Sequence, residues 1–399
     1  DAFMRAVEAD EEWALVSPKD RAPIATVKAR SLWIRLLTAR IETGEPYIIY
    51  SDTVNSQIPE HQKLAGLTVK TSNLCSEITL PTGLDHLGND RTAVCCLSSL
   101  NVENFLVWKD HPTFIEDVMR FLDNVLQDFI DNAESTFDKA KYSAARERSV
   151  GLGIMGLHSF LQDQRVPFES AVAKAWNKKM FKHIRTQADA ASVLLAEERG
   201  ACLDAQDYGI MERFSNKMAV APTASISIIC GGASPGIEPI AANSFTHKTL
   251  SGSFNVRSKA LKKLLAEKGK DTDEVWSSIV TSEGSVQHLD FLSDDEKDVF
   301  KTAFEIDQRW VIDLAADRSE YICQSQSLNV FLAADVEKRD LHQIHFQAWK
   351  KGVKSLYYCR SKSLQRSESV GSLVPVTGDE EADRAAASRN DYEECLACQ

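Results

Sequence analysis

Asn73-Leu74-Cys75-Ser76-Glu77 sets an amide, a thiol and a carboxylate at alternate positions. In an extended segment alternate side chains share a face, so Asn73, Cys75 and Glu77 are expected to open onto one small volume. A carboxylate that moves protons beside a thiol makes a workable reaction centre. The competing reading is a packed cysteine with two solvated neighbours. Cys95-Cys96 lies within Thr92–Leu100. Neighbours in a strand face opposite sides, so at most one of these thiols shares a pocket with Cys75, and both also fit as packing residues. Cys395-Leu-Ala-Cys398 has the spacing of a disulfide or of half a zinc site. Zinc needs four ligands, and no second pair or histidine stands nearby. That leaves a redox pair on an arm, or two chance cysteines at a terminus.

Three further stretches invite chemistry. Gly151-Leu-Gly153-Ile-Met-Gly156 spells GxGxxG, but a dinucleotide fingerprint should follow a strand and precede an acidic ribose ligand. Here Tyr142–Val150 is charged and helix-like, so close helix packing through small residues is expected instead. Pro222-Thr223-Ala224-Ser225-Ile226 leads into the glycine-rich Cys230–Gly236. Hydroxyls and turn N–H groups there suit an anion cradle, or equally an ordinary loop. Tyr357-Tyr358 is either packing or a pair of phenols able to pass an electron and a proton along. No set of residues makes a convincing metal site.

These groups need elements to position them. Helical periodicity marks Ser31–Ile41, Thr113–Asn132, Ala171–Glu198, Leu261–Gly269, Asp294–Ala316 and Leu341–Gly352. Thr113-x-x-Glu116 reads as a capping box, with Phe114, Val118, Phe121, Leu122, Val125 and Phe129 as the core stripe. Thr92–Leu97, Ser225–Ile229 and Ser327–Leu332 read as buried strands. Short strands alternating with helices predict an α/β fold. The 399 residues carry 46 Lys+Arg against 58 Asp+Glu, a net charge of −12. That balance argues against nucleic-acid binding, and no apolar run approaches the ~18 residues of a membrane span. Nine scattered cysteines suit a reducing compartment, hence the cytoplasm. The first residues read like the inside of a helix. Residues 361–399 are rich in Ser, Asp, Glu and Ala and predict a flexible tail.

Taken together, these residues resemble the large catalytic subunit of class Ia ribonucleotide reductase. Asn73–Pro81 is similar to that family's finger loop, and Ala93–Asn101 to the strand bearing one of its redox cysteines. Glu42–Tyr47 with Asn55, Gly151–Leu157, Pro222–Ser227 with Gly236–Pro239, and Leu356–Tyr358 are similarly placed. The resemblance implies the C-terminal half of a ten-stranded α/β barrel over residues 1–360, with the finger loop near 71–81 at its centre. Residues 361–399 become a redox-active tail.

Roles follow from the resemblance. Cys75 is the thiyl radical that removes the 3′ hydrogen of a ribonucleoside diphosphate, Glu77 takes the 3′-hydroxyl proton, and Asn73 hydrogen-bonds the substrate hydroxyls. Cys95 is one of two thiols that reduce the intermediate after the 2′-hydroxyl leaves as water. Pro222, Thr223, Ala224, Ser225 and Ile226 hold the diphosphate. Tyr357 and Tyr358 relay the radical from a small subunit that carries the metal-tyrosyl radical cofactor. Cys395 and Cys398 re-reduce the interior pair and pass the oxidation to thioredoxin or glutaredoxin. No cofactor is expected in this chain. Allosteric ATP and dNTP sites, and the thiol that pairs with Cys95, are expected in an N-terminal half encoded separately or lost. The alternative is a catalytically silent assembly chain that keeps the fold.

Overall fold

The computed structural model describes residues 1–249, 252–333 and 335–361. Cys395, Cys398 and the rest of the expected tail lie outside the described residues. The architecture is α/β and predominantly parallel at its centre. Cys96–Asn101 pairs in parallel with Val150–Met155, Cys96 opposite Val150 and Asn101 opposite Met155. Leu152 bridges to Met218 and Val220 to Gln326, both parallel. Val330–Leu332 then pairs in parallel with Cys359–Ser361. Parallel neighbours need crossovers, and the helices Phe114–Asn132, Ala171–Arg199, Gln308–Ser319 and Lys338–Lys350 supply them. One antiparallel pair, Ile48–Ile49 with Ser355–Leu356, ties the N-terminal segment to the tyrosine strand.

The GxGxxG run belongs to this parallel array. Val150–Met155 is buried along its whole length. A Cβ on Gly153 would stand 2.6 Å from the carbonyl oxygen of Ala219, and one on Gly151 would collide with the Leu97 side chain. The glycines therefore let strands approach one another; the expected helix packing is corrected to strand packing. Gly156 (φ 86°) turns the chain into the helix Leu157–Asp163.

Four further sequence expectations are corrected. Ser225–Ile229 is not a strand but the core of a short helix, Ala224–Ile229. Its β-branched run is too short for periodicity to separate the two, and Gly232 N–H closes back onto Ser227 and Ile228. Asp294–Ala316 is two helices, Asp294–Val299 and Gln308–Ser319, started separately by the Ser293–Glu296 capping box and by Asp307. Thr113 forms no box with Glu116; its hydroxyl donates to Asp117 at 2.8 Å. On that helix Phe121 and Val125 are exposed, while Ile115, Met119, Leu122, Asp123 and Leu126 are buried. Asp123 can sit in the buried stripe because Arg148, Arg199 and Arg213 all pair with it. A polar residue so neutralised displaces the apolar face that counting hydrophobes locates.

The main core joins the parallel strands to the Ala171–Arg199 and Gln308–Ser319 helices through Leu152, Ile154, Phe181, Ile184, Ile312 and Leu328. A satellite core under Trp276 and Phe300 closes the helices Lys259–Glu267 and Asp273–Thr281. The strand ends and the loops above them carry the chemistry-bearing residues.

Candidate active site

Cys75 stands at the tip of a turn rather than in extended chain, which corrects the alternation argument. Ser76 N–H donates to Asn73 O at 3.2 Å, and Ser76 takes a left-handed φ of 68°. A non-glycine residue there is uncommon and must be held by its surroundings. The holding is explicit. Ser327 Oγ donates to Cys75 O, Ser355 Oγ donates to Ser76 O at 2.9 Å, and Ser325 N–H donates to Glu77 O at 2.8 Å. Three successive carbonyls of the loop are thus pinned by residues 325 and 327 and by the strand Ser355–Leu356. The base of the loop is closed by Ser72 Oγ to Ile78 O at 2.7 Å and by Ile78 N–H to Asn73 Oδ1 at 3.1 Å. Asn55 exchanges two hydrogen bonds with Val69 and anchors the approach.

The turn brings together what the spacing singled out. Cys75 and Glu77 are buried, 5% and 2% exposed. Glu77 Oε2 lies 2.9 Å from the same Ser327 Oγ, whose single proton is shared between this carboxyl and the Cys75 carbonyl. Burial raises its carboxyl above the ordinary range, and hydrogen bonds from Asn73 and Ser327 oppose the rise. Such a group is a base whose proton affinity has been increased without removing its anion's partners.

On the other side of the thiol the two tyrosines line up. Tyr357 Oη donates to Cys75 Sγ at 3.6 Å. The Tyr357 and Tyr358 rings lie 4.4 Å apart. Tyr47, not singled out from sequence, packs against both at 4.7 and 5.0 Å. Desolvation first, then the hydrogen bond with Cys75, holds the Tyr357 phenol far above its usual value, so it stays protonated. The backbone is fixed from behind: Arg40 Nη2 donates to Tyr357 O at 3.0 Å, and Tyr358 N–H donates to Asn329 Oδ1 at 3.0 Å.

Cys95 lies beside Gly151 and accepts from Gln324 Nε2 at 3.3 Å. Desolvation pushes its thiol strongly upward. The adjacent Cys96 begins the strand. Gln324 also accepts from Thr79 N–H of the finger loop at 3.2 Å, so one amide touches both the loop and the Cys95 strand.

Pro222, Ala224 and Ser225 line a cavity of 880 Å³ that also receives Arg257, Lys259, Lys263 and Arg360. These cations are remote in sequence from the cradle, which is why a reading of the loop alone missed them. Thr223 is turned inward, accepting from Gly236 N–H at 2.7 Å, and Ile226 is part-exposed; neither lines the cavity. Cys75, Asn73 and Glu77 are also absent from its lining. The segment 327–329, leading into the strand Val330–Leu332, spans the two places: Ser327 holds Glu77, and Asn329 lines the cavity. Ser325, Ser327 and Gln324 had one sequence signal, a polar run inside a strand-like stretch, which in a buried setting must be satisfied by something specific.

Comparison with known proteins identifies the family of the fold. The family model for the ribonucleotide reductase barrel domain matches residues 1–208 and 203–359. The ribonucleoside-diphosphate reductase large subunit of Invertebrate iridescent virus 3 is 44% identical over 372 residues, 92% of this chain and 58% of that protein. The large subunit of Caenorhabditis elegans is 31% identical over 455 residues, 100% of this chain and 56% of that one. Among solved structures, the Actinobacillus ureae class Id ribonucleotide reductase alpha subunit superposes with a TM-score of 0.77 at 40% identity, covering 84% of this chain and 61% of the other. The chain thus spans somewhat over half the length of these relatives. With a barrel-domain match over nearly all the described residues, the chain belongs to the ribonucleotide reductase large-subunit family.

Proposed function

We propose that this chain carries the radical-bearing part of a class Ia ribonucleoside-diphosphate reductase, which converts ribonucleoside diphosphates to 2′-deoxyribonucleoside diphosphates. The observation that carries the reading is the Tyr357 hydroxyl on Cys75 Sγ, with the Tyr358 ring packed at a tilt behind it. A phenol held protonated beside a thiol can exchange a hydrogen atom with it without creating a buried charge, which a dry site would penalise. Oxidising equivalents arriving from a metal-bearing small subunit pass through Tyr358 and Tyr357 to Cys75. The resulting thiyl takes the 3′ hydrogen, Glu77 takes the 3′-hydroxyl proton, and Asn73 orients the substrate hydroxyls.

The same reading assigns the diphosphate to the loop 222–226, where the cavity collects Lys259 and Arg360 beside Ala224 and Ser225. Cys95 is one of the two thiols that deliver electrons, its partner coming from chain beyond this sequence. Cys395 and Cys398 return electrons from thioredoxin or glutaredoxin. An N-terminal part of the large subunit completes the barrel and brings ATP and dNTP control sites. Among the described residues no helix is long and apolar enough to cross a membrane, and we place the enzyme in the cytoplasm.

The test is deoxynucleotide formation by the complete large subunit with its small subunit and a dithiol. Cys75→Ser is expected to abolish turnover while the subunits still assemble. Turnover retained by that variant would refute the assignment.

A further inference from the structure

Gln324 carries a buried amide that the mechanism above does not use. The residue is 0% exposed. Its Oε1 accepts from Thr79 N–H at 3.2 Å, and its Nε2 donates to Val150 O at 3.2 Å and to Cys95 Sγ at 3.3 Å. A backbone N–H can only donate and a backbone carbonyl can only accept, so Thr79 and Val150 fix which end of the amide is nitrogen. One of the two N–H protons is spent on Val150, and the other is left for the sulfur. The backbone is held as firmly. Gln324 N–H donates to Met218 O at 3.1 Å, and Lys354 Nζ donates to Gln324 O at 2.7 Å.

The sulfur is turned to receive that proton. Cys95 Sγ directs its own hydrogen towards Cys96 O at 3.9 Å, so the amide meets a lone pair. A neutral thiol is a weak acceptor, whereas a thiolate accepts as strongly as other charged groups do. The Gln324 amide therefore does more for an ionised sulfur than for a neutral one. Such help is needed at this position. Desolvation drives the thiol upward, the Gln324 hydrogen bond opposes the rise, and the titratable neighbours Cys96, Glu147 and Cys323 add to it. The donor is also tied to the reaction centre. Thr79 aims the amide, so the finger loop that carries Cys75 orients the group that sits on Cys95.

We propose that Gln324 is a positioning residue for reduction, keeping one N–H on Cys95 Sγ to stabilise the negative charge that sulfur carries when a disulfide at Cys95 is opened. This rests on the reading of Cys95 as one of the two reducing thiols. A thiolate from an attacking dithiol bonds to the partner sulfur, and the bond between that sulfur and Cys95 Sγ breaks. The electron pair stays on Cys95 Sγ, where the Gln324 N–H meets it. The second thiol of the dithiol, once ionised, displaces the partner sulfur, leaving a reduced pair and an oxidised dithiol. The two released thiolates take up two protons, matching the two that the dithiol lost on ionising. A better stabilised thiolate leaves faster, so the amide sets the rate at which Cys95 is set free.

The experiment uses the assembled reductase, oxidised by a single turnover without reductant and then treated with dithiothreitol. The reappearance of the Cys95 thiol is followed by quenched alkylation and mass spectrometry. Gln324→Met keeps the side-chain length and removes the donors. It is expected to slow the reappearance about five- to tenfold, the margin between a hydrogen bond to a charged group and one to a neutral group. Gln324→Glu keeps the shape and an oxygen for Thr79 N–H, and is expected to slow it further, because oxygen replaces the N–H that faces sulfur. Alkylation of the reduced Cys95 by iodoacetamide, which also needs the thiolate, is expected to slow in the same order. A merely loosened site would expose the sulfur and speed both reactions, so the sign of the change separates a donor from a packing residue. Rates unchanged or raised in both variants overturn the proposal while leaving Cys95 as a reducing thiol. If Cys95 enters no disulfide in the wild type, the reading of Cys95 fails and the proposal with it. Gln324→Glu preserves the shape, so the test survives a failure of Gln324→Met to fold.

Discussion

The Tyr357 hydroxyl points its proton at Cys75 Sγ across 3.6 Å, although 282 residues of chain separate them. Neither group reaches the other by its own element. Cys75 is placed by a turn whose carbonyls are clasped by Ser327 and Ser355. Tyr357 lies in the two-residue link between the strands Ser355–Leu356 and Cys359–Ser361, and its own carbonyl is held by Arg40. Both supports involve the strand Ser355–Leu356 or residues beside it, so the loop and the tyrosine pair are positioned by one piece of the fold.

Tyr357→Phe separates the phenol's chemistry from its packing. It keeps the ring between Tyr47 and Tyr358 and removes only the hydrogen bond to sulfur, worth about 1 kcal/mol of stability. Thermal unfolding should shift little, while deoxynucleotide formation by the assembled reductase should fall below detection. A silent assembly chain would show no kinetic change at all.

Glu77 gives a pH signature. Its folded-state proton affinity is raised, chiefly by burial, and its proposed role as base requires the anion. Activity should therefore rise with pH through a value above 4.5, the ordinary glutamate figure, and be lost as pH falls through it. Glu77→Gln should remove that limb and lower the rate by roughly 10²–10⁴-fold, the range of a positioned base. A pH–rate profile of both proteins measures it.

How much of this was legible in the sequence depends on whether chemistry or packing set the residue type. Asn73, Cys75 and Glu77 were visible because three reactive groups at alternate positions are conspicuous. The geometry inferred for them was wrong, because the turn depends on Ser325, Ser327 and Ser355, which are distant and individually unremarked. Tyr47 was hidden for a similar reason: one tyrosine after a helix carries no sign that it packs on two others. Ser225–Ile229 was misread because three isoleucines within four residues suggest a strand, whereas Ile226, Ile228 and Ile229 sit exposed on a helix turned by the following glycines. The α/β alternation was readable because it rests on long periodic segments such as Ala171–Arg199.

The glycine run makes a packing prediction. A Cβ at Gly153 meets backbone, Ala219 O at 2.6 Å, whereas one at Gly151 meets first the end of the Leu97 side chain. Backbone yields less easily than a leucine tip. Gly153→Ala should cost about 1–3 kcal/mol or more, as overpacking does, and Gly151→Ala less. Denaturant unfolding of the two variants ranks them.

Glu147 predicts how stability varies with pH. Its carboxyl is raised from 4.5 to about 8 in the folded state, so the folded chain binds more protons than the unfolded one between those values. Its stabilising contribution is complete below 4.5 and is lost as pH rises towards about 8. Glu147→Gln, neutral at every pH, should gain on the wild type across that interval by up to about 1.4 kcal/mol per pH unit. Melting temperatures of both proteins against pH report it.

The central claim is that the Cys75 sulfur takes the 3′ hydrogen of the substrate. It is tested most directly by giving the assembled reductase a 3′-tritiated ribonucleoside diphosphate and counting tritium released to water. The wild type should release it during turnover, and Cys75→Ser should release none while still binding the small subunit. Release by Cys75→Ser at the wild-type level would contradict the claim.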